Sequence, residues 1–312
     1  MSRKQTNPLK INYYISGHGF GHATRSAQIV QALLCADPKT QITVITTAPQ
    51  HLFTPSDRLK FISRAVDSAI IQPQPYTIDA VVSFRNLQTF LQATDNEQWH
   101  AEASSLLELS DCNMIIADAP CPIIWNCNRS IKSVLISNFS FDAIFEELVQ
   151  YLPPADQTGN KALVAKLCQL YASYSHVIRL PGFIDLPFVD HHWTARQKQD
   201  NVFDSPLVFR QARKSKKEVL SMLGVAKEDH DRKKILLVQF GGQIVGGSSE
   251  RRPQLPKDWI CLNASAVPGD SNFVTFPPDV YSPDLIEAAD VVLGKIGMKL
   301  PSLEHTRRWS FC

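Results

Sequence analysis

Two histidines, three glycines and an arginine fall within nine residues of one another near the start of the chain, in the run Gly17-His18-Gly19-Phe20-Gly21-His22-Ala23-Thr24-Arg25. Glycine accepts positive φ and lets a backbone approach a ligand closely. Histidine exchanges a proton near neutral pH, so His18 and His22 are candidate bases. Arg25 is a candidate for holding a phosphate or a carboxylate, although a surface arginine is the commoner case. The run lacks the G-x-G-x-x-G spacing of a dinucleotide fingerprint. A glycine turn of this kind also occurs in α/β proteins with no ligand, and the two histidines weigh against that plainer reading. Two more polar residues matter because of where they fall: Asp118 ends the run Asn113 to Ala117, and Asn138 follows the run Val134 to Ser137.

The elements that must position these residues follow from the apolar pattern. Ile11 to Ile15 reads as a first strand. The helix after it runs from about Gly21 to Cys35, with Ile29, Val30, Leu33 and Leu34 on one face. Its N-terminus, with unpaired N–H groups and a partial positive charge, faces the glycine loop, which outlines an anion site. Strands are expected at Ile42–Thr46, Phe61–Ala65, Asn113–Ala117, Val134–Ser137 and His176–Leu180. Helices are expected at Phe90–Leu109, from Phe141 to about Tyr151, and at Lys161–Tyr174, with residues 68–86 mostly loop. Strand followed by helix, repeated, predicts a parallel sheet with helices on both faces. Ligands bind such sheets beyond the carboxyl ends of the strands, and His18, His22, Asp118 and Asn138 all map to that edge.

Residues 181–211 hold three prolines and the pair His191-His192, read here as solvated loop. A second α/β unit follows. It has a helix at Lys214–Leu223, whose Lys/Arg run at 213–217 reads as a solvated face. It also has strands at Lys234–Phe240, Trp259–Leu262, Asn272–Phe276 and Asp290–Leu293, and a helix starting at Ser282-Pro283-Asp284. Gly241-Gly242-Gln243 repeats the logic of the first loop after an apolar strand. The expected organisation is an N-terminal Rossmann-like domain over 1–182, a connection over 183–212, and an incomplete Rossmann-like domain over 213–312.

Composition narrows the function classes. The 312 residues are 44% hydrophobic and 20% charged, with a formal net charge of +2. That composition is globular, and the balance gives no general attraction to nucleic acid. Seven cysteines include no C-x-x-C pair and are read as reduced thiols near a core, not as a metal site. Residues 1–10 lack the apolar core of a secretory signal. No apolar run of about 18 residues suggests a membrane span. The expected location is cytoplasmic.

Taken together, several segments resemble the glycosyltransferase-like domain found at the N-terminus of L-arabinokinases and in stand-alone relatives. They are Ser16 to Arg25, Ser137-Asn138-Phe139-Ser140-Phe141-Asp142, Pro206-Leu207-Val208, Lys214-Ser215, Phe240-Gly241-Gly242-Gln243, Ser282-Pro283-Asp284-Leu285-Ile286, and Leu293-Gly294-Lys295-Ile296-Gly297. The likeness covers about residues 11–297 and extends, more distantly, to MurG-type N-acetylglucosaminyltransferases. It implies a GT-B architecture, with two Rossmann-like domains facing each other across a cleft, the N-terminal one on the acceptor side and the C-terminal one on the nucleotide-sugar side.

Carried over, the resemblance makes His22 the base that takes a proton from an acceptor hydroxyl and Asp118 the residue that orients its ring. Gly17, His18, Gly19, Gly21, Arg25 and Asn138 become substrate-binding candidates. Gly241, Gly242 and Gln243 would approach the donor diphosphate, and Lys295 would meet the leaving group's charge. No metal or cofactor is implied if helix dipoles and backbone N–H groups stabilise that charge; the partners are a nucleotide-sugar and a hydroxyl-bearing acceptor. The ATP-binding motif of a galactokinase-type domain is absent, so sugar phosphorylation is not expected. After Gly297 the sequence departs from the family pattern, which predicts a C-terminal domain truncated there through a frame change, an alternative exon or a gene-model error, with self-association through the uncovered face. Beside sugar transfer stand three other readings: a nucleotide-sugar or sugar-binding module without chemistry, an inactive truncated product, and a nucleotide-sugar epimerase of the same architecture.

Overall fold

The computed structural model describes residues 8–68, 70–73, 77–93, 95–121, 131–239, 255–264, 272–277 and 279–294. The chain divides into two compact units between Val208 and Phe209.

The first unit alternates strand and helix from its start: β1 (Lys10–Ile15), α1 (Phe20–Ala36), β2 (Gln41–Thr46), β3 (Leu59–Ser63), α2 (Ala80–Ala93), α3 (Glu97–Ser110), β4 (Met114–Asp118) and β5 (Lys132–Ser137). It continues through α4 (Phe141–Leu148), α5 (Pro154–Tyr171), β6 (His176–Arg179), α6 (Pro187–His192), α7 (Ala195–Asn201) and β7 (Val202–Asp204). Among the described residues the sheet has the order β3-β2-β1-β4-β5-β6-β7, and every pairing is parallel. With helices on both faces, a central strand is buried on both sides and loses the apolar–polar alternation of a half-exposed strand. Accordingly Ile11, Tyr13, Tyr14 and Ile15 of β1 are all buried. On α1, Ala23, Ala27, Val30 and Leu34 form the buried stripe, at the spacing a helix needs to lay one face on a sheet.

The glycine loop between β1 and α1 is fixed sterically at two points. A Cβ on Gly17 would lie 1.9 Å from Thr47 Oγ1. Gly19, the N-cap of α1, has φ of 74°, a conformation costly for any residue with a Cβ.

Three expectations change here. Residues 80–93 form the helix α2, where only a short element near Ala80 to Phe84 was expected before a helix starting at Phe90; Ala80, Ser83, Phe84, Leu87 and Leu91 are its buried face. The single helix expected over Phe90–Leu109 is two. Asn96 caps α3, its side chain accepting the Gln98 backbone N–H at 2.9 Å, so α3 starts afresh at Glu97. The stretch 183–208, expected as the larger part of a connection, belongs to the first unit. Its α6 buries Phe188 and Val189, the Phe188 ring stacks on Tyr171 of α5 at 5.6 Å, and β7 extends the sheet beside β6. His191 and His192 close α6 exposed to solvent.

The second unit contains α8 (Lys216–Met222), β8 (Lys234–Val238), β9 (Trp259–Asn263), β10 (Phe273–Thr275), α9 (Ser282–Ala288) and β11 (Val291–Leu293). Its described strands run in the order β10-β9-β8-β11, all parallel. Val219, Leu220, Ile235, Leu237, Leu262 and Leu285 lie in its core. A Cβ on Gly294 would approach the Gln239 carbonyl oxygen to 2.3 Å, so the ends of β8 and β11 come together only because residue 294 has no side chain. No helix among the described residues is long and apolar enough to cross a membrane.

Candidate active site in the first unit

Strand register brings the aspartate to the glycine loop. β1 and β4 pair in parallel with Ile15 opposite Asp118, and the Ser16 N–H donates to the Asp118 carbonyl at 3.2 Å. Asp118 therefore stands at the carboxyl edge of the sheet, directly beside the point where the chain leaves β1 for α1. The helix then presents residues i, i+3 and i+4 on one face. Those positions are His22, Arg25 and Ser26, and all three reach Asp118.

The carboxylate is fully engaged. His22 Nδ1 lies 2.8 Å from Asp118 Oδ1. Ser26 Oγ donates to Oδ2 at 2.8 Å, and Arg25 Nε donates to Oδ2 at 2.6 Å. Arg25 Nη2 also donates to Oδ1, so guanidinium and carboxylate meet as a two-point fork. The remaining arginine donors reach β5 and the residue after it: Nη1 donates to Asn138 Oδ1, and Nη2 lies 3.3 Å from Ser137 Oγ. Asp118 is 0% exposed, His22 7% and Arg25 9%.

Burial alone would push the Asp118 carboxyl up. The Arg25 charge, then His22 and the hydrogen bonds from both, outweigh it and hold the group well below the usual carboxylate range. For Arg25 the balance is the same in mirror image: burial pulls the guanidinium down, and the Asp118 charge and hydrogen bonds more than restore it, leaving it above its ordinary value.

An ionised Asp118 can only accept, so the 2.8 Å contact assigns the ring proton of His22 to Nδ1. Arg25 Nη2 stands 3.0 Å from the same Nδ1. A guanidinium has no acceptor to offer, so this is a close approach of a cation to the ring, not a second hydrogen bond to the protonated nitrogen. The Nε2 lone pair is then the basic atom, and it has no hydrogen-bond partner among the described residues. Phe139, just beyond β5, packs edge-on against the imidazole with centroids 5.3 Å apart. The ring is thus fixed on one side by a salt-bridged carboxylate and on another by an aromatic wall.

The other residues read from the sequence are distributed as follows. Asn138 joins the cluster through Arg25. His18 does not: its Nε2 lies 3.0 Å from Gln72 Oε1, and its backbone N–H donates to Ser16 Oγ at 3.1 Å, while that hydroxyl donates to Asp67. Asp67 and Gln72, in the connection after β3, share the loop's surroundings and carried no signal in the sequence. Gly17, Gly19 and Gly21 are exposed. Arg25, read as a ligand-holding residue, is spent on Asp118, Asn138 and Ser137. Ser26 and Ser137 were not singled out; the i+4 spacing from His22 was the available sign for Ser26. Gly241, Gly242, Gln243 and Lys295 lie outside the described residues.

No protein-family model matches the chain. In sequence it is similar to an L-arabinokinase of Arabidopsis thaliana, 32% identical over 297 residues that cover 93% of this chain. Those residues are 26% of that enzyme, so the chain spans about a quarter of the length of the curated relative it matches. In structure it is similar to the glycotransferase of kitacinnamycin, with a TM-score of 0.54 and 14% identity over 94% of this chain and 77% of the other. The MurG of Acinetobacter baumannii aligns with a TM-score of 0.41 and 11% identity over 93% of this chain and 74% of that one. The sequence is thus similar to about a quarter of an L-arabinokinase, and the parallel α/β units have the fold of GT-B glycosyltransferases.

Proposed function

We propose that the chain is a glycosyltransferase module that moves a sugar from a nucleotide-sugar to an acceptor hydroxyl, with His22 as the base. The observation that carries this reading is the 2.8 Å pairing of His22 Nδ1 with an ionised Asp118 at the carboxyl edge of the sheet. Nε2 accepts the acceptor's hydroxyl proton. The acceptor oxygen forms a bond to the anomeric carbon, and the bond from that carbon to the donor's phosphate oxygen breaks, its electron pair leaving on the nucleoside diphosphate. Asp118 steadies the imidazolium that results. Nothing in the step calls for a metal or a cofactor from this chain.

A second reading, a nucleotide-sugar-binding module without chemistry, is favoured by one specific feature. The Asp118 charge is already matched by Arg25 through two hydrogen bonds, which leaves less of it to support a positive ring on His22.

Incubating the purified chain with UDP-, GDP- and ADP-sugars and a panel of hydroxyl acceptors, followed by mass spectrometry of products, separates the two. Transfer expects a glycosylated acceptor that disappears in His22→Ala. Thermal stabilisation by a nucleotide-sugar with no product under any condition selects the binding module.

A further inference from the structure

The chain leaves β4 in a conformation that its residue does not favour. Ala119, directly after Asp118, has φ of 75° and is 0% exposed. Among the described residues Asp111 is the other non-glycine with positive φ. Its place is ordinary: it is the exposed C-cap of α3, and aspartate tolerates the left-handed region. Alanine has no polar side chain to stabilise that region, and a residue before a proline, here Pro120, is confined further toward extended backbone. Strain of this kind persists only where the surroundings over-determine it.

Those surroundings are hydrogen bonds to three consecutive carbonyls. The Ser16 N–H donates to the Asp118 carbonyl at 3.2 Å, the Tyr171 hydroxyl donates to that of Ala119, and the Tyr174 hydroxyl donates to that of Pro120 at 2.6 Å. The peptide planes on both sides of the Ala119 Cα are thereby fixed. Tyr171 ends α5 and Tyr174 lies just beyond it; both are buried. Burial raises both phenols well above their ordinary value, so each hydroxyl keeps the proton it donates. The Tyr171 oxygen also accepts the Phe141 N–H at 3.2 Å, at the start of α4. Phe141 in turn packs edge-on against Phe139 with centroids 5.5 Å apart, and Phe139 is the ring that walls His22. One hydroxyl thus ties the exit of β4, which carries Asp118, to the exit of β5, which carries Phe139. Relaxing Ala119 to negative φ would rotate the peptide plane of the Asp118 carbonyl, and with it the residue whose carboxylate holds His22 Nδ1.

We propose that Tyr171 and Tyr174 are positioning residues for the His22–Asp118 pair, holding Ala119 in its left-handed conformation so that the carboxylate faces the imidazole. That the pair does chemistry rests on the proposed transfer reaction; its positioning by the two hydroxyls does not. Neither tyrosine needs to touch a substrate to act in this way.

Proton–nitrogen NMR spectra of the full chain with isotope-labelled histidine report the tautomer of His22 at mildly alkaline pH, the signal being assigned by its loss in His22→Ala. The wild type should hold the ring proton on Nδ1; a ring protonated on Nε2 there overturns the proposal at the outset. Tyr171→Phe keeps the ring and its packing and removes the hydroxyl. It should mix in the tautomer protonated on Nε2. Glycine takes positive φ without strain, so Ala119→Gly alone should keep the wild-type pattern and, combined with Tyr171→Phe, should restore it. A tyrosine that only packs would not be rescued in this way. A wild-type pattern in Tyr171→Phe overturns the proposal, as does a mixed pattern that Ala119→Gly does not correct. Should Tyr171→Phe not fold, Tyr174→Phe, which frees the next carbonyl, takes its place with the same expected and contradicting results. In a transfer assay Tyr171→Phe should lower kcat by about tenfold or more while KM for the donor stays within about twofold. Unchanged kcat beside a mixed tautomer, or no transfer by any variant or by the wild type, would retire the transfer reading and leave the positioning standing.

Discussion

Arg25 and Asp118 are the two charges that the first unit buries together: Nε of the arginine donates to Oδ2 of the aspartate at 2.6 Å, and both are at most 9% exposed. His22 is held by this pair, and so the pair sets how the proposed base behaves. Removing one member of a buried ion pair is costly because it strands the other.

Asp118→Asn should therefore destabilise the first unit by about 3–5 kcal/mol, measured by urea unfolding at neutral pH. A loss under about 1 kcal/mol would place the pair among the weak, surface-like ion pairs.

The same carboxylate predicts an acid limb. Its folded value lies below the unfolded one. The stability it contributes is thus complete above the unfolded value of about 3.9 and is lost as the pH falls from there through the folded value. Urea midpoints should drop below about pH 4 in the wild type, and more shallowly in Asp118→Asn. Equal slopes in the two proteins would show that the carboxylate has no such shift.

Arg25→Lys keeps a charge but not the fork that spans Asp118, Asn138 and Ser137. It should cost about 1–3 kcal/mol, while Arg25→Met should cost more. If the two substitutions are equally harmful, the fork's geometry rather than its charge sets the stability.

Gly17→Ala places a methyl where Thr47 Oγ1 would be 1.9 Å away and Thr47 Cβ 3.3 Å away. Overpacking of this kind costs about 1–3 kcal/mol, and Thr47→Ala in the same chain should recover most of it. Failure of the second change to help would move the strain elsewhere in the loop.

Thiol reactivity should follow exposure. Cys35 is exposed, while Cys168 and Cys261 are buried. Burial, with Asp142 adding to it, pushes the Cys168 thiol up to about 12; burial pushes Cys261 up to about 11. Iodoacetamide at pH 8 should label Cys35 in the native protein and spare the other two until the chain is unfolded. Early labelling of Cys168 would mean that α5 opens locally.

Much of the first unit was legible because its strands are long apolar runs and α1 has a clear stripe. The helix α2 was obscured by the prolines before it and by Ser83, a polar residue buried to accept the Ile71 N–H at 3.0 Å. The elements α6, α7 and β7 were obscured by their shortness, since three to seven residues do not display a period. In the site, strand ends and the loop pointed to His22, Asp118 and Asn138 as neighbours. The role of Arg25 was not legible: whether an arginine faces solvent or a buried acid depends on register between β1 and β4, and that is a tertiary fact.

The most direct test of the account is to compare wild type and His22→Ala in two measurements on the same preparation: sugar transfer to a hydroxyl acceptor, and affinity for the nucleotide-sugar. Loss of a base predicts that turnover falls by about 10²–10⁴-fold while donor affinity stays within about twofold, because the proposed role of His22 is to take a proton from the acceptor hydroxyl. Turnover that survives the substitution, or donor affinity that falls together with it, would contradict the assignment of His22 as the base.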